Sequence, residues 1–118
     1  MKTDDFWNKL DKLVQTCPLK IDRPKGTAHP RYPDFIYPLD YGYLEGTTAG
    51  DGAGIDVWVG SLPEKRVTAI ICSLDLEKRD AEIKLLFDCI PDEMQHLLAI
   101  HNTGEQSAIL IERAEASD

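Results

Sequence analysis

Two pairs of aspartates are spaced so that their carboxylates could act together. Asp51 and Asp56 enclose a glycine-rich turn, and Asp75 and Asp80 flank the segment LEKR between two predicted strands. When such strands are neighbours, the carboxylates meet at one end of the sheet and raise one another's pKa. A hard divalent cation relieves that repulsion, and all-oxygen ligands with a partial water shell suit Mg²⁺. The pairs indicate either a magnesium site or ordinary turns, because aspartate also tolerates turn geometry.

Basic and phenolic groups precede these pairs in the chain. Ammonium, guanidinium and phenol groups bind phosphoryl oxygens once metal ions have neutralised part of the charge. Taken singly, a lysine is typical of the solvated surface and a tyrosine of packing, whereas the combination indicates a phosphate site. The candidates are Lys25, Arg31, Tyr37 and Tyr41, with Asp22 supplying a further carboxylate close to Lys25.

The elements that must position these groups belong to one domain. The chain has 118 residues, of which 42% are hydrophobic and 29% charged, as in a folded globular domain covering 1–118. The pattern predicts an α+β, β-rich fold: an N-terminal helix within 1–17, then several short strands and a covering helix within 18–113. The predicted elements are helix 4–16, strands 19–23, 55–61, 67–75 and 81–89, helix 91–101, and a strand or helix over 107–113.

Charge and apolar surface restrict the partners of this domain. The net charge of −8 repels polyanions, so we expect no nucleic acid partner. No window approaches 18 apolar residues and the N-terminus has no apolar leader, so we expect a cytoplasmic protein that does not bind membranes. Trp7, Leu10, Leu13 and the proline-aromatic loop 29–43 offer more apolar surface than a small domain buries, which predicts a homo-oligomer.

The segment YPLDYGYLEGT, followed by GDGAGIDVWV, resembles the soluble Mg-dependent inorganic pyrophosphatases. Their pattern in the same place is Tyr-Pro-x-Asn-Tyr-Gly and then Asp-Gly-Asp-Pro-x-Asp before an apolar strand. KIDRPKGT and DLEKRDAEIK continue the likeness, which runs from about Lys20 to about Asn102. The resemblance implies a small OB-like five-stranded β-barrel with flanking helices. It also implies hydrolysis of pyrophosphate to two phosphates with Mg²⁺, or Mn²⁺ in its place.

The resemblance assigns a role to each candidate residue. On the metal side, Asp51, Asp56 and Asp80 would hold one ion, Asp75 a second, and Asp22 would take the place of a glutamate near both. The implied substrate ligands are Lys25, Arg31, Tyr37 and Lys84, and the implied catalytic residues are Asp75, Asp40 and Tyr41.

Three departures from the family pattern affect the chemistry. Ala53 stands where the family has the carboxylate that holds and deprotonates the attacking water. Glu82 stands where the family has a phosphate-binding lysine, and Lys84 lies two residues further on the same strand face. Asp40 replaces the asparagine, so Asp40, Asp75 or a metal-bound hydroxide would serve as base. Three interpretations stay open: a slowed pyrophosphatase, a related metal-dependent phosphohydrolase with another substrate, and a non-catalytic binding module.

Overall fold

Six strands and two helices make up the part of the chain that the structure, a computed structural model, describes, namely residues 2–50 and 52–114. In chain order they are α1 (Lys2–Thr16), β1 (Leu19–Arg23), β2 (Asp40–Leu44), β3 (Ile55–Val59), β4 (Val67–Asp75), β5 (Asp80–Phe87), α2 (Pro91–Ile100) and β6 (Gln106–Glu112). The strands form one sheet in the order β1-β2-β3-β5-β4-β6. All neighbours are antiparallel except β3 and β5, which are parallel. The predicted small, β-rich α+β class is confirmed.

The predicted five-stranded barrel is wrong, because the described sheet has six strands and is open, with β1 and β6 at its edges. Both edges end their pairing for identifiable reasons. β1 contains an irregularity between Ile21 and Arg23 and is followed by Pro24, which has no N–H to donate. On β6, the Asn102 side chain accepts the N–H of Ala108 at 3.0 Å and donates to its carbonyl at 3.2 Å. That amide occupies backbone groups that a further strand would need.

Strand β2 is the element that the sequence did not predict. Its residues belong to a segment rich in proline and aromatic residues, which indicated a loop. The strand begins two residues after Pro38 and pairs with β1 on one side and β3 on the other. Gly42 lies so close to the Lys20 carbonyl of β1 that a Cβ atom would collide with it. A glycine in a strand interior, usually unfavourable, is thus required here by the close approach of two backbones.

The two helices cover opposite faces of the sheet. Successive side chains of a strand point to alternate faces, so each face has its own core. The α1 face contains the buried residues Trp7, Leu44, Val57, Val67, Ile70 and Leu85. The other, which we call the cleft face, contains Tyr37, Leu39, Trp58, Ala69, Ile71, Leu86, Cys89, Met94 and Leu97. Trp7, which the sequence offered as surface for an oligomer, is buried within the chain at 6% exposure.

The segment between β1 and β2 folds back on itself over the cleft face. The N–H of His29 donates to the carbonyl of Phe35, and the N–H of Tyr37 donates to that of Thr27, both at 2.9 Å. As predicted, the segment contains no helix. Its aromatic rings continue into the sheet: Tyr37 stacks on His29 at 6.1 Å and on Tyr41 at 5.8 Å between ring centroids. The segment thereby places aromatic side chains beside the charged end of β4 and β5.

Helix α2 begins where the sequence predicts, at Pro91. The Glu93 carboxylate accepts the N–H of Ile90 at 2.9 Å, which satisfies a backbone donor at the start of the helix. In the ranges that the structure describes, neither helix combines the length and the apolar character needed to cross a bilayer.

Candidate functional site

A cleft of about 450 Å³ opens on the cleft face, next to the turn between β4 and β5. Its lining combines charged and aromatic groups. The charged residues are Asp75, Lys78, Asp80, Glu82 and Lys84. The aromatic and imidazole groups are His29, Tyr32, Phe35, Tyr37, Trp58 and His101. A concave site with convergent ionisable groups is the usual setting for binding or catalysis.

The register of the β4–β5 hairpin explains why the charges converge. Asp75 lies directly opposite Asp80. Because side chains alternate along a strand, Asp80, Glu82 and Lys84 share one face of β5. The Asp75 Oδ1 atom accepts the N–H groups of Glu77 and Lys78 at 2.9 and 3.1 Å, closing the turn. Asp75 therefore closes the turn, which is the ordinary role of an aspartate at such a position, and it also lines the cleft.

The best-defined polar group of the site is the buried ammonium of Lys84. Its Nζ atom donates to Asp56 Oδ2 at 2.9 Å, to Glu82 Oε2 at 3.1 Å and to the Tyr41 hydroxyl at 3.1 Å. The side chain of Lys84 is only 8% exposed. An ammonium has three N–H donors, and all three are used here. The network joins β2, β3 and β5 at the level of the cleft.

The charges in this network determine the protonation of its members. Burial lowers the pKa of Lys84, but the ionised form of Tyr41 and the Asp56 carboxylate raise it by more, so the net pKa is raised. At neutral pH the Asp56 carboxylate is the partner of these two that carries a negative charge, and the ammonium stays charged. Burial raises the pKa of Tyr41 well above its ordinary value, against the opposing effect of the Lys84 charge. The Tyr41 phenol is therefore protonated at neutral pH and acts as a hydrogen-bonding group rather than as an anion.

His101 fixes the aromatic side of the cleft. Its Nε2 atom accepts the indole N–H of Trp58 at 3.1 Å, so the proton is on Nδ1, 2.8 Å from the Gln106 side-chain oxygen. Burial lowers the pKa of His101, which favours the neutral imidazole. With both nitrogens engaged, His101 orients Trp58 and has no nitrogen left to accept a proton from water.

Among the cleft residues that were not predicted as site residues, three bear directly on its chemistry: Lys78, Trp58 and His101. Lys78 belongs to the turn between the aspartates, which is a usable signal in the sequence. Trp58 and His101 have no such signal, because their positions depend on the packing of α2 against the sheet.

The structure places several predicted residues away from the cleft lining. Lys25 and Asp40 lie together in a smaller cleft of about 160 Å³, where the Lys25 backbone N–H donates to Asp40 Oδ1 at 2.8 Å. Arg31 is exposed, with its guanidinium carbon 5.6 Å from the centroid of the Tyr32 ring. Asp22 is exposed at the irregularity of β1, and Asp51 lies outside the described residues.

The donor set decides whether a resident metal ion fits. Within residues 2–50 and 52–114, no three His, Cys, Asp or Glu side chains are grouped so that they could hold a metal ion. The carboxylates of Asp56 and Glu82 instead bind the Lys84 ammonium. As arranged, the described residues do not fit a resident divalent ion. The negative charge of Asp56, which was expected to be compensated by a metal ion, is compensated by the Lys84 ammonium.

Comparisons with known proteins give a likeness in fold. No protein-family model matches the chain, and no curated protein matches it. Among solved structures, the chain is similar to an inorganic pyrophosphatase from Helicobacter pylori, with a TM-score of 0.57 and 14% sequence identity. The alignment covers 80% of this chain and 83% of the pyrophosphatase. At that identity the likeness shows a pyrophosphatase-like fold.

Proposed function

We propose that the protein slowly hydrolyses inorganic pyrophosphate, or a closely related phosphoanhydride, that enters the cleft as its magnesium complex. The observation that carries the proposal is the pair Asp75 and Asp80, opposed across the β4–β5 hairpin at the edge of a cleft in a pyrophosphatase-like fold.

The charge of the cleft supports a substrate that brings its own cation. Three carboxylates and two ammonium groups line it, which leaves an excess negative charge before Asp56 is counted. A free pyrophosphate anion would be repelled by that field. Mg²⁺ usually keeps several waters and binds through one or two carboxylates together with substrate phosphates. The charge of the magnesium complex is therefore compatible with the acidic cleft, whereas the charge of the free anion is not.

Within this proposal the chain's residues divide into two groups. Asp75 and Asp80 bind the magnesium side of the substrate, and the exposed Lys78 contacts phosphoryl oxygens at the rim. The other assignments stay predictions: Asp22 and Asp51 as metal ligands, Asp40 and Tyr41 as catalytic residues, and Lys25, Arg31 and Tyr37 as substrate ligands. The predicted roles of Asp56 as a metal ligand and Lys84 as a substrate ligand would require the contact between these two side chains to break.

The absence of a carboxylate at residue 53 sets the expected rate. General-base assistance contributes about 10²- to 10⁴-fold to a hydrolysis. With alanine at this position, we expect weak activity that rises with alkaline pH, as hydroxide forms without help from the protein. Ala53 is exposed in the turn between β2 and β3, so a longer side chain can be accommodated there.

The test is phosphate release from pyrophosphate in Mg²⁺, measured for the natural sequence, Ala53→Asp and the control Ala49→Asp in the same turn. Gly54 is kept, because a Cβ there would lie 2.8 Å from the Tyr43 ring. We expect Ala53→Asp to raise the rate at neutral pH and Ala49→Asp to leave it unchanged. Equal rates for all three proteins at neutral and alkaline pH would contradict the role assigned to residue 53.

A non-catalytic binding module is the second candidate, and Lys84 is the observation that favours it. Its ammonium is fully engaged by protein groups, where a hydrolase would use such a cation on the substrate. Binding of magnesium pyrophosphate without phosphate release, by the natural sequence and by Ala53→Asp alike, would establish this alternative. The predicted homo-oligomer stays a separate prediction, and a monomeric mass by light scattering would refute it.

A further inference from the structure

The Lys84 ammonium occupies the point at which two carboxylates from neighbouring parallel strands converge. Val57 of β3 is paired with Leu85 of β5, which sets Asp56 beside Lys84. Glu82 approaches from the same face of β5, and its side chain is 15% exposed compared with 27% for Asp56. Two carboxylates held this closely in a partly buried site require a cation between them.

We infer that the Lys84 ammonium is a built-in cation that takes the place of a divalent ion between Asp56 and Glu82. The inference goes beyond the proposed hydrolysis and does not depend on turnover. It accounts for how this half of the site keeps two ionised carboxylates in the folded chain.

The hydrogen bonding of Lys84 distinguishes this role from that of a phosphate ligand. Its three N–H groups already have acceptors in Asp56, Glu82 and Tyr41. Giving one of them to a phosphoryl oxygen would withdraw it from a carboxylate or the phenol. Leaving a partly buried carboxylate without its partner is unfavourable. Lys84 therefore serves the protein's own anions, and the exposed Lys78 is the ammonium in the cleft lining that can reach a substrate.

The size of the gap indicates which ion would replace the ammonium. The N···O distances of 2.9 and 3.1 Å are longer than the 2.0–2.1 Å that Mg²⁺ requires of its ligands. Ca²⁺ accepts oxygens at 2.3–2.6 Å in flexible geometry and would need the smaller adjustment. Removal of the ammonium should therefore create a divalent-cation site with a preference for the larger ion.

The test is Lys84→Met, in which the side chain is kept long but loses its charge. Ca²⁺ binding is measured by isothermal titration calorimetry without pyrophosphate, for the natural sequence, Lys84→Met and the control Lys78→Met. The control removes the same charge from the exposed rim. We expect Lys84→Met to bind Ca²⁺ about tenfold more tightly than Lys78→Met, because carboxylates that converge on one point form a site. Equal affinities in the two variants would overturn the inference.

Two further measurements keep the test decisive. Adding Glu82→Gln to Lys84→Met removes one of the two carboxylates and should abolish the gained Ca²⁺ site. Retention of the site in that double variant would overturn the inference. Should Lys84→Met be unfolded in metal-free buffer, millimolar Ca²⁺ should restore its folded circular dichroism spectrum. Failure to refold in Ca²⁺ would equally contradict a site in which one cation replaces another.

Discussion

Two carboxylate pairs on the cleft face have different environments. Asp56 and Glu82, which we call the deeper pair because they lie beside the buried Lys84, share its ammonium. Asp75 and Asp80 oppose each other at the end of the β4–β5 hairpin and line the open cleft, with one Asp75 oxygen bound to the turn. The chain thus neutralises its deeper pair internally. It leaves the outer pair with an acidic excess that attracts an incoming cation.

Removing Lys84 should have the largest effect on stability, because it breaks the compensation of the deeper pair. We expect Lys84→Met to lower the free energy of unfolding by about 3 kcal/mol at neutral pH, since two carboxylates remain without their cation. The measurement is urea denaturation in metal-free buffer. A variant as stable as the natural sequence would show that Lys84 compensates nothing.

Neutralising one aspartate of each pair should have smaller and unequal effects. Asp56→Asn removes a charged partner of Lys84 but leaves Glu82 and an amide oxygen as acceptors, so we expect a loss of about 1 kcal/mol. Asp80 lines the open cleft, and we expect Asp80→Asn to change the free energy of unfolding by no more than about 0.5 kcal/mol. Thermal melting of the two variants under identical conditions checks the difference. A larger loss of stability in Asp80→Asn than in Asp56→Asn would contradict the difference between the two pairs.

The smallest expected effect concerns the pH dependence contributed by His101. Its pKa is lowered in the folded chain, so the unfolded chain binds more protons below about pH 6.5 and stability falls as pH decreases. His101→Gln keeps an acceptor for Trp58 and removes the titration. We expect the melting temperature of this variant to fall less than that of the natural sequence between about pH 7.5 and about pH 5.5. Parallel melting curves across that range would exclude this contribution.

Much of the fold follows from local patterns in the sequence. Strands β1 and β4 occupy the residues that their alternation and turn signals predict, and α2 begins at the predicted proline. β2 could not be predicted in this way, because its tyrosines and Gly42 are selected by the neighbouring strands rather than by local propensity. The open sheet could not be predicted from local patterns either, because it depends on contacts such as that of the Asn102 side chain with the edge of β6.

The site shows the same division between spacing and packing. The positions of Asp75 and Asp80 at the two ends of a hairpin turn were predictable from their flanking strands. The partner of Asp56 was not, because spacing showed only that Lys84 shares a strand face with Glu82. The contact with Asp56 requires the parallel pairing of β3 with β5, two strands distant in sequence. Sequence therefore identifies which residues carry charge, and topology determines which charges meet.

The most direct test of the proposed function is the specificity constant for magnesium pyrophosphate, measured as phosphate release by the natural sequence and by Asp80→Asn. Asp34→Asn, in an exposed part of the segment before β2, is the matched control. We expect activity above the metal-only background, a loss of about tenfold or more in Asp80→Asn, and no change in Asp34→Asn. Background-level release by the natural sequence, or equal constants for all three proteins, would contradict hydrolysis in this cleft.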